Sequence, residues 1–494
     1  MLSRRQMLAR CSLGFGGLAL SHLSAADAVS SGSAGSARSH SDPHSDPHSD
    51  PHSDPRSNPT PGAIPRRNAR IDSVILCYMS GGFSHVDSFD PKPELSRLAG
   101  QPMPVPIQPT MFNANGNIFP SPWSAAPRGR SGLVMTDLFP HLNACADELT
   151  ILRAMTTKVS EHAQGNYHFH TGFPFLGHPS AGAWVSYGLG SVNRNLPAFV
   201  VLQSGGAALP HGGVGVFGSG YLPAQHEASI LKADSQAPLD FIQPLLPDAA
   251  QRRHLALVKN LDEGFLQDAP DARVAAAIAN YETAYRMQAA IPELCDIAGE
   301  SAATQRAYGL ESEDKRVAAY GKQALVARRL VERGVRFIEL SCVSAGIGAG
   351  NGGNPWDQHG KILEGHGAMA RQVDQPVAAL IRDLQQRGLL DRTLIVFAGE
   401  FGRTPFSQGA DGRDHNPMGF SLMLCGGGIR RGIAHGATDE LGYYAVENIT
   451  SVYDVWATVL HLLGLDHERL TYRFGGRDFR LSDVHGKVIR EILA

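Results

Sequence analysis

Short apolar runs alternate with helical patterns along the chain from about residue 70 onward. Residues 73–79 (SVILCYM) form a continuous apolar run before Ser-Gly-Gly, which is typical of a buried parallel strand that ends in a tight loop. Similar runs predict further strands, at 149–154, 199–203, 335–341, 393–398 and 420–425. Helical patterns predict helices at 138–147, across the Ala-rich stretch 271–333 with breaks near Pro292 and Gly309, at 373–387 and at 451–463.

Strands that alternate with helices favour one fold class. They predict an α/β/α sandwich, in which a mostly parallel sheet is covered by helices on both faces. Ligands bind to such sheets beyond the carboxyl ends of the strands. Because the polar motifs of this chain follow predicted strands, we expect a functional site at that edge of the sheet.

Composition narrows the class of protein further. Of the 494 residues, 43% are hydrophobic and 18% charged, which excludes a disordered chain and a disulfide-rich miniprotein. The formal net charge of −3 shows no basic excess, so we expect no nucleic-acid partner. We assign residues 70–494 to one domain with a helical insertion at about 245–330. Its five cysteines lie far apart without a CxxC motif, which favours buried free thiols.

The first residues resemble an export signal. Arg4 and Arg5 precede a modest apolar stretch at 11–26, and the small residues around Ala28 fit a cleavage site. We predict a Tat-type signal peptide over residues 1–28 that engages the Tat export machinery, with an ordinary Sec signal as the alternative. The stretch is too weak for a membrane span, so we expect a periplasmic or cell-envelope protein with no transmembrane span after cleavage.

A low-complexity linker follows the signal. Residues 29–69 begin with Ser, Gly and Ala and then repeat His-Ser-Asp-Pro four times from His40. A proline in every fourth position forbids a helix or an interior strand, so we expect a disordered, solvated spacer. The repeated histidines either bind metal or belong to a plain tether.

Two polar motifs follow the first two strands. The segment GGFSHVDSFD supplies Ser84, His85 and Asp87. The segment EHAQGNYHFHTG supplies three histidines, and His162 lies near the N-terminus of a possible helix, where the helix dipole favours an anion. The other two histidines of this segment would face different sides of that helix, which favours packing or hydrogen bonding for them.

Two further motifs follow late strands. The segment NPWDQHG supplies Asp357 and His359, and the segments GEFGRTP and GRDHN supply Glu400, Arg403, Arg413 and His415. Carboxylates and imidazoles are suitable ligands for Zn, Mn or Fe, and an arginine can bind an oxyanion through two hydrogen bonds. A cluster of surface ion pairs is the competing interpretation. Isolated histidines are interpreted as structural or exposed, His211 and His226 among them.

The motifs together resemble one family. The strings GGFSHVDSFDPKP, WDQHG, GEFGRTP, GRDHN and GGRDFRLSDVHG, with the twin-arginine start, are similar to the domain-of-unknown-function family 1501, exported sulfatase-like proteins. The resemblance covers about residues 70–490 and implies the alkaline-phosphatase superfamily, whose members hydrolyse phosphate or sulfate esters with one or two metals. Asp357, His359 and His415 resemble the Asp/His/His set of its second metal site. Ser80, His162 and Glu400 stand where the pattern of that superfamily has other residues.

The first functional hypothesis is an exported, metal-dependent hydrolase of phosphate or sulfate esters. Its substrate would be an anionic ester, such as a sulfated or phosphorylated glycan, and its cofactor a divalent metal (Zn, Mn, Fe or Ca). The candidate metal ligands are Asp357, His359, His415, Glu400, Asp87 and His85. The candidate catalytic residues are His162 as general base or nucleophile, Arg403 as oxyanion-binding residue, and Ser84.

The second hypothesis is a binding or scaffold protein of the cell envelope that keeps the fold without catalysis. It rests on the absence of Ser, Cys or Thr at position 162. The density of His, Asp, Glu and Arg at the predicted strand ends favours the enzyme.

Overall fold

A nine-stranded sheet lies at the centre of the protein, whose computed structural model describes residues 68–494 apart from 111, 240–241, 243–245 and 269–271. The predicted signal peptide (1–28) and nearly all of the predicted linker (29–69) lie outside these residues. In chain order, the strands of the sheet are β1 (Ser73–Tyr78), β2 (Leu149–Thr156), β3 (Phe199–Gln203), β4 (Ser229–Lys232), β5 (Phe337–Ser341), β6 (Thr393–Ala398), β7 (Phe420–Gly426), β8 (Ile433–His435) and β9 (Thr450–Ser451).

The sheet is mostly parallel, as predicted. Its order is β8-β2-β7-β6-β1-β5-β3-β4, and β9 pairs with the end of β2. Strand β1 is central and pairs in parallel with β5 and β6, so that Ile75 lies between Ile338 and Ile395. Only β7 among these strands runs antiparallel to its neighbours, β6 and β2. The carboxyl ends of the parallel strands therefore meet at one edge.

Helices connect and cover the strands. In chain order they are α1 (Pro93–Arg97), α2 (Pro140–Asn143), α3 (His162–Thr171), α4 (Ala181–Leu189), α5 (Asp248–Asp268), α6 (Ala272–Cys295), α7 (Ala302–Ala307), α8 (Lys315–Glu332), α9 (Ile362–Gln386) and α10 (Val452–Leu462). Helices α5 to α7 follow one another within the stretch predicted as a helical insertion.

Two hydrophobic cores lie on opposite faces of the sheet. Successive side chains of a strand point to opposite faces, and accordingly Ile75 of β1 packs in a core with α8 and α9. Its neighbour Leu76 packs in a second core with α4 and α10. The protein is thus an α/β/α sandwich, which confirms the predicted fold class.

Some local predictions differ from the structure. Helix α9 begins at Ile362, before the predicted start at 373, and α6 runs past Pro292 to Cys295. The region 138–147 contains only the single turn α2 and the start of a 3₁₀ turn. The late polar motifs, predicted as loops, form antiparallel strands at Gly402–Gln408 and Gly412–Asn416. Their side chains are buried but polar, so the apolar signature of a strand is missing from the sequence.

All five cysteines in the described part of the chain are buried free thiols: Cys77, Cys145, Cys295, Cys342 and Cys425. Within the same residues, no helix is both long and apolar enough to cross a membrane.

His226 makes folding stability depend on pH. Its side chain is 3% exposed, its Nδ1 is hydrogen-bonded to Ser186 Oγ (2.9 Å), and burial lowers its pKa from 6.5 to about 4. Below pH 6.5 the unfolded chain binds a proton at this histidine that the folded chain does not bind. The free energy of unfolding is therefore highest above pH 6.5 and decreases as the pH falls toward 4. We expect wild type to lose about 3 kcal/mol more than His226→Gln between pH 7 and pH 4. Urea unfolding at both pH values measures this loss, and the exposed His485→Gln variant should match wild type.

Candidate metal centre

Four side chains converge at the carboxyl edge of the central sheet. His162 is the first residue of α3, which follows β2, while Asp357 and His359 lie in the loop after β5. His415 lies on the strand Gly412–Asn416. Each side chain offers one ligand atom, and these atoms all lie within 4.8 Å of one another. We call these four residues the His/Asp cluster. It unites the three residues that resembled a metal site with His162, which was predicted to be catalytic.

Asp357 is the centre of the cluster. Its Oδ1 lies 2.9 Å from Nε2 of His359 and 3.2 Å from Nε2 of His415. Its Oδ2 lies 3.2 Å from Nε2 of His162. Three imidazole Nε2 atoms therefore face one carboxylate.

The opposite nitrogen of each cluster histidine has an oxygen partner. Nδ1–H of His162 donates to Glu400 Oε1 (2.8 Å), that of His415 to the Ser160 carbonyl oxygen (2.5 Å), and that of His359 to Gln408 Oε1. A proton on Nδ1 leaves the Nε2 of a neutral imidazole as a lone pair. Histidine ligands of metals are typically held in this way.

The cluster fits a divalent cation. When all three rings are neutral and donate from Nδ1, their Nε2 lone pairs face the Asp357 carboxylate, and a proton or a bound cation must lie between them. Nε2 of His162 is buried without a well-directed hydrogen-bond partner. Three imidazoles and one carboxylate match the ligands of zinc and related transition metals. The residues present can therefore hold one such ion.

The electrostatics of the cluster favour a positive charge. Burial by itself lowers the pKa of His162, but hydrogen bonds to Asp357 and Glu400 raise it to about 9. Burial opposes ionisation of Asp357, yet Arg403 and the cluster histidines hold the pKa of this carboxyl well below its usual range. Burial lowers the pKa of His415 to about 3. The Asp357 carboxylate therefore stays ionised at neutral pH, and the positive charge facing it is supplied by a proton on His162 or by a bound cation that replaces this proton.

Arg403 positions Asp357. It pairs with His415 in the antiparallel ladder, and its guanidinium is fully buried, with Nη2 2.7 Å from Asp357 Oδ1. Its other hydrogen bonds go to the carbonyl oxygens of Gly81, Gly82, Trp356 and Arg413. These contacts engage the buried guanidinium with protein oxygens, so we expect Arg403 to orient Asp357, and its role toward an oxyanion stays a prediction.

Ser84, His85 and Asp87 form a separate buried group. The Asp87 carboxylate accepts from Arg413 Nε (2.7 Å) and Nη2 (3.0 Å) and from Ser84 Oγ (2.6 Å). Nε2–H of His85 donates to the Gly442 carbonyl oxygen (2.7 Å). All these side chains are fully buried or nearly so. The structure therefore does not bring Ser84, His85 and Asp87 into the His/Asp cluster: Ser84 and Asp87 are hydrogen-bonded within their own group, and Nε2 of His85 is bound to Gly442.

Glu400 orients His162 instead of joining the cluster. Its carboxylate also accepts from the backbone N–H of Gly81 (2.8 Å) and, more weakly, from Tyr78 Oη (3.4 Å). The side chain is fully buried. This carboxylate–histidine pair holds the ring with Nε2 toward Asp357.

We expect Glu400→Gln to lower metal affinity by about 10- to 100-fold, because a neutral amide is a weaker acceptor for the His162 Nδ1–H. Competition with a chelating dye measures the affinity. Glu161→Gln is a matched control, since Glu161 caps the backbone of the same helix and should leave metal affinity unchanged. Equal affinity of Glu400→Gln and wild type would contradict this role.

Other aromatic and histidine side chains lie near the cluster, and one of them, His211, differs from the sequence-based interpretation. His168 and His170 hydrogen-bond to Thr157 and Glu339, which agrees with a structural role. Phe401, adjacent to Glu400, stacks on the His415 ring at a centroid distance of 4.3 Å. His211, interpreted as isolated, lies with its ring 5.9 Å from that of His162. The only local signal for His211 is its position after the predicted strand at 199–203.

The fold and the cluster together define an α/β/α protein with a His/Asp site at the carboxyl edge of its parallel strands. The family described as "Protein of unknown function (DUF1501)" matches residues 71–493, and the chain belongs to it. A comparison with curated proteins gives no match.

Several solved structures are similar to the chain at low identity. Ps i-CgsB in complex with k-i-k-neocarrahexaose is 13% identical with a TM-score of 0.36, over 80% of this chain and 72% of that chain. PsFucS1 sulfatase from Pseudoalteromonas sp. is 14% identical with a TM-score of 0.36, over 81% and 69%. A mutant TAB5 alkaline phosphatase with Mg bound is 8% identical with a TM-score of 0.34, over 81% and 100%. TM-scores of this size support no statement about activity.

Proposed function

We propose that the protein is an exported, metal-dependent hydrolase of phosphate or sulfate esters. The observation that carries this proposal is the convergence of three histidine Nε2 atoms on Asp357, with every opposite Nδ1–H donated to an oxygen. Three imidazoles and one carboxylate, brought together from separate segments of the chain, form a ligand set suited to a divalent cation.

The four cluster residues and their two neighbours, Glu400 and Arg403, would have different roles. Asp357 and the three histidines would hold the ion, while Glu400 and Arg403 fix the orientation of His162 and Asp357. When bound, a divalent cation supplies Lewis acidity toward an ester oxygen and lowers the pKa of water. Both ring nitrogens of His162 face carboxylates, so we assign it to the ligands rather than to base or nucleophile. None of the four cluster residues carries a hydroxyl or thiol, and we therefore assign water as the nucleophile.

We also propose that the protein is exported and that its substrate is an anionic glycan ester. The twin arginines at Arg4 and Arg5 support export. An Arg4→Lys/Arg5→Lys double variant is expected to stay in the cytoplasm when cell fractions are blotted. Export of this variant at the wild-type level would refute the Tat route.

Metal content and turnover test the proposal together. The full chain, with His40, His44, His48 and His52 replaced by serine to remove adventitious ligands, is expected to contain about one divalent ion. His415→Ala in the same background should lose the ion and the hydrolysis of aryl phosphate or aryl sulfate esters. His485→Ala, which changes an exposed histidine outside the cluster, should keep both.

Two outcomes would reject the hydrolase. A folded wild type without metal would remove the basis of the proposal. A metal-loaded wild type that turns over neither ester class would favour the binding or scaffold protein.

A further inference from the structure

We infer that His211 is a substrate-contacting residue whose Nε2–H donates a hydrogen bond to a tetrahedral oxyanion held at the His/Asp cluster. This inference rests on the proposed function and adds the residue that recognises the anionic part of the ester. The argument depends on the place of His211, on the hydrogen bond that fixes its tautomer, and on its exposure.

The loop after β3 carries His211 to the cluster. The backbone oxygen of His211 accepts from Asn166 Nδ2 on α3 (2.9 Å), which ties the loop to the helix that begins with His162. The rings of His211 and His162 are perpendicular, with centroids 5.9 Å apart. His211 is exposed, whereas His162 is buried. His211 therefore lies beside the cluster and nearer to solvent than His162.

Asn354 fixes the tautomer of His211. Its Nδ2 donates to Nδ1 of His211 (3.0 Å), and its Oδ1 lies 3.4 Å from Ser80 Oγ, which donates to the Gly353 carbonyl oxygen (2.7 Å). Asn354 is 3% exposed, so the packing around its side chain limits the rotation of this amide. Because Nδ1 is an acceptor, a neutral His211 carries its proton on Nε2, at the other edge of the ring.

Gly353 allows the loop after β5 to lie close to the loop after β3. A Cβ atom at this position would lie 2.4 Å from the carbonyl oxygen of Leu209 and 3.2 Å from Cδ2 of His211. Only glycine leaves room for both, so the Asn354–His211 contact is built into the packing of the loops.

The Nε2–H of an exposed histidine beside a candidate cation site is suited to a phosphate or sulfate oxygen. Arg403 and Arg413 are fully buried and donate to protein oxygens, so neither guanidinium faces the substrate side. His211 keeps its proton and shares it in a hydrogen bond, which stabilises negative charge on the oxyanion without a change of protonation.

Calorimetric titration of the metal-loaded full chain with inorganic phosphate and, separately, inorganic sulfate tests the inference. His211→Phe keeps a flat ring without a donor and should weaken anion binding by about 10- to 100-fold. His211→Gln can place an amide donor near the position of Nε2 and should bind within about threefold of wild type. Metal content should be equal in all three proteins. This pattern with either anion supports the inference and identifies the ester class.

The results that would overturn the inference are distinct from a failure of the proposed function. Wild-type anion affinity in His211→Phe, or loss of metal from it, would show that His211 does not contact the anion or instead holds the metal site. A wild type that binds no metal would reject the proposed function, and the inference with it. Gly353→Ala is a second test, because displacing the His211 loop should weaken anion binding while the four cluster ligands stay in place.

Discussion

Asp357→Asn is expected to remove the bound metal and to destabilise the fold at the same time. The substitution deletes the charge that faces three imidazoles and leaves the buried Arg403 guanidinium without its carboxylate. We expect metal affinity to fall by more than about 100-fold, beyond the loss typical of residues that only orient a ligand. An uncompensated buried charge costs about 3–5 kcal/mol of unfolding free energy. Elemental analysis and urea unfolding measure the two effects.

A matched variant separates these two effects. His359→Ala removes one cluster ligand but leaves the Asp357–Arg403 pair intact, so it should lose metal with little of the apo-protein destabilisation seen in Asp357→Asn. An Asp357→Asn protein that retains one metal per chain would contradict the assignment of the centre.

Asp87→Asn is expected to destabilise the protein without changing its metal content. Asp87 and Arg413 are both fully buried and share two hydrogen bonds, of 2.7 and 3.0 Å. Burial raises the pKa of the Asp87 carboxyl, but the Arg413 guanidinium outweighs this and lowers it below its ordinary value. Loss of the carboxylate leaves the Arg413 charge buried and unpaired, which we expect to cost about 3–5 kcal/mol of unfolding free energy.

The exposed pair of Glu94 and Arg97 provides the control. Their side-chain atoms also lie within hydrogen-bond distance, but the pair is screened by solvent, so Glu94→Gln should leave urea unfolding unchanged. A stable Asp87→Asn protein that has lost its metal would show that Asp87 is a metal ligand, as the sequence motif predicted.

The fold class was predictable because its signal is local. Each buried strand is a short run of apolar residues, and β1, β3 and β6 could be located from such runs to within one residue. The pattern failed at Gly402–Gln408 and Gly412–Asn416, where most buried side chains are polar and have polar partners, as Arg403 has Asp357 and Arg413 has Asp87. Hydrophobicity reports burial in an apolar core and carries no signal for a buried polar hairpin.

The sequence by itself determined the α/β/α sandwich and the candidate set at the strand ends, including Asp357, His359 and His415. Only the tertiary structure decided that His162 joins them, that Asp87 is bound by Arg413, and that His211 faces the site. The physical reason is that a binding site is defined by distances of a few ångströms between residues far apart in the chain. Spacing along the sequence limits which residues are candidates, but the packing of loops from separate strands decides which of them meet.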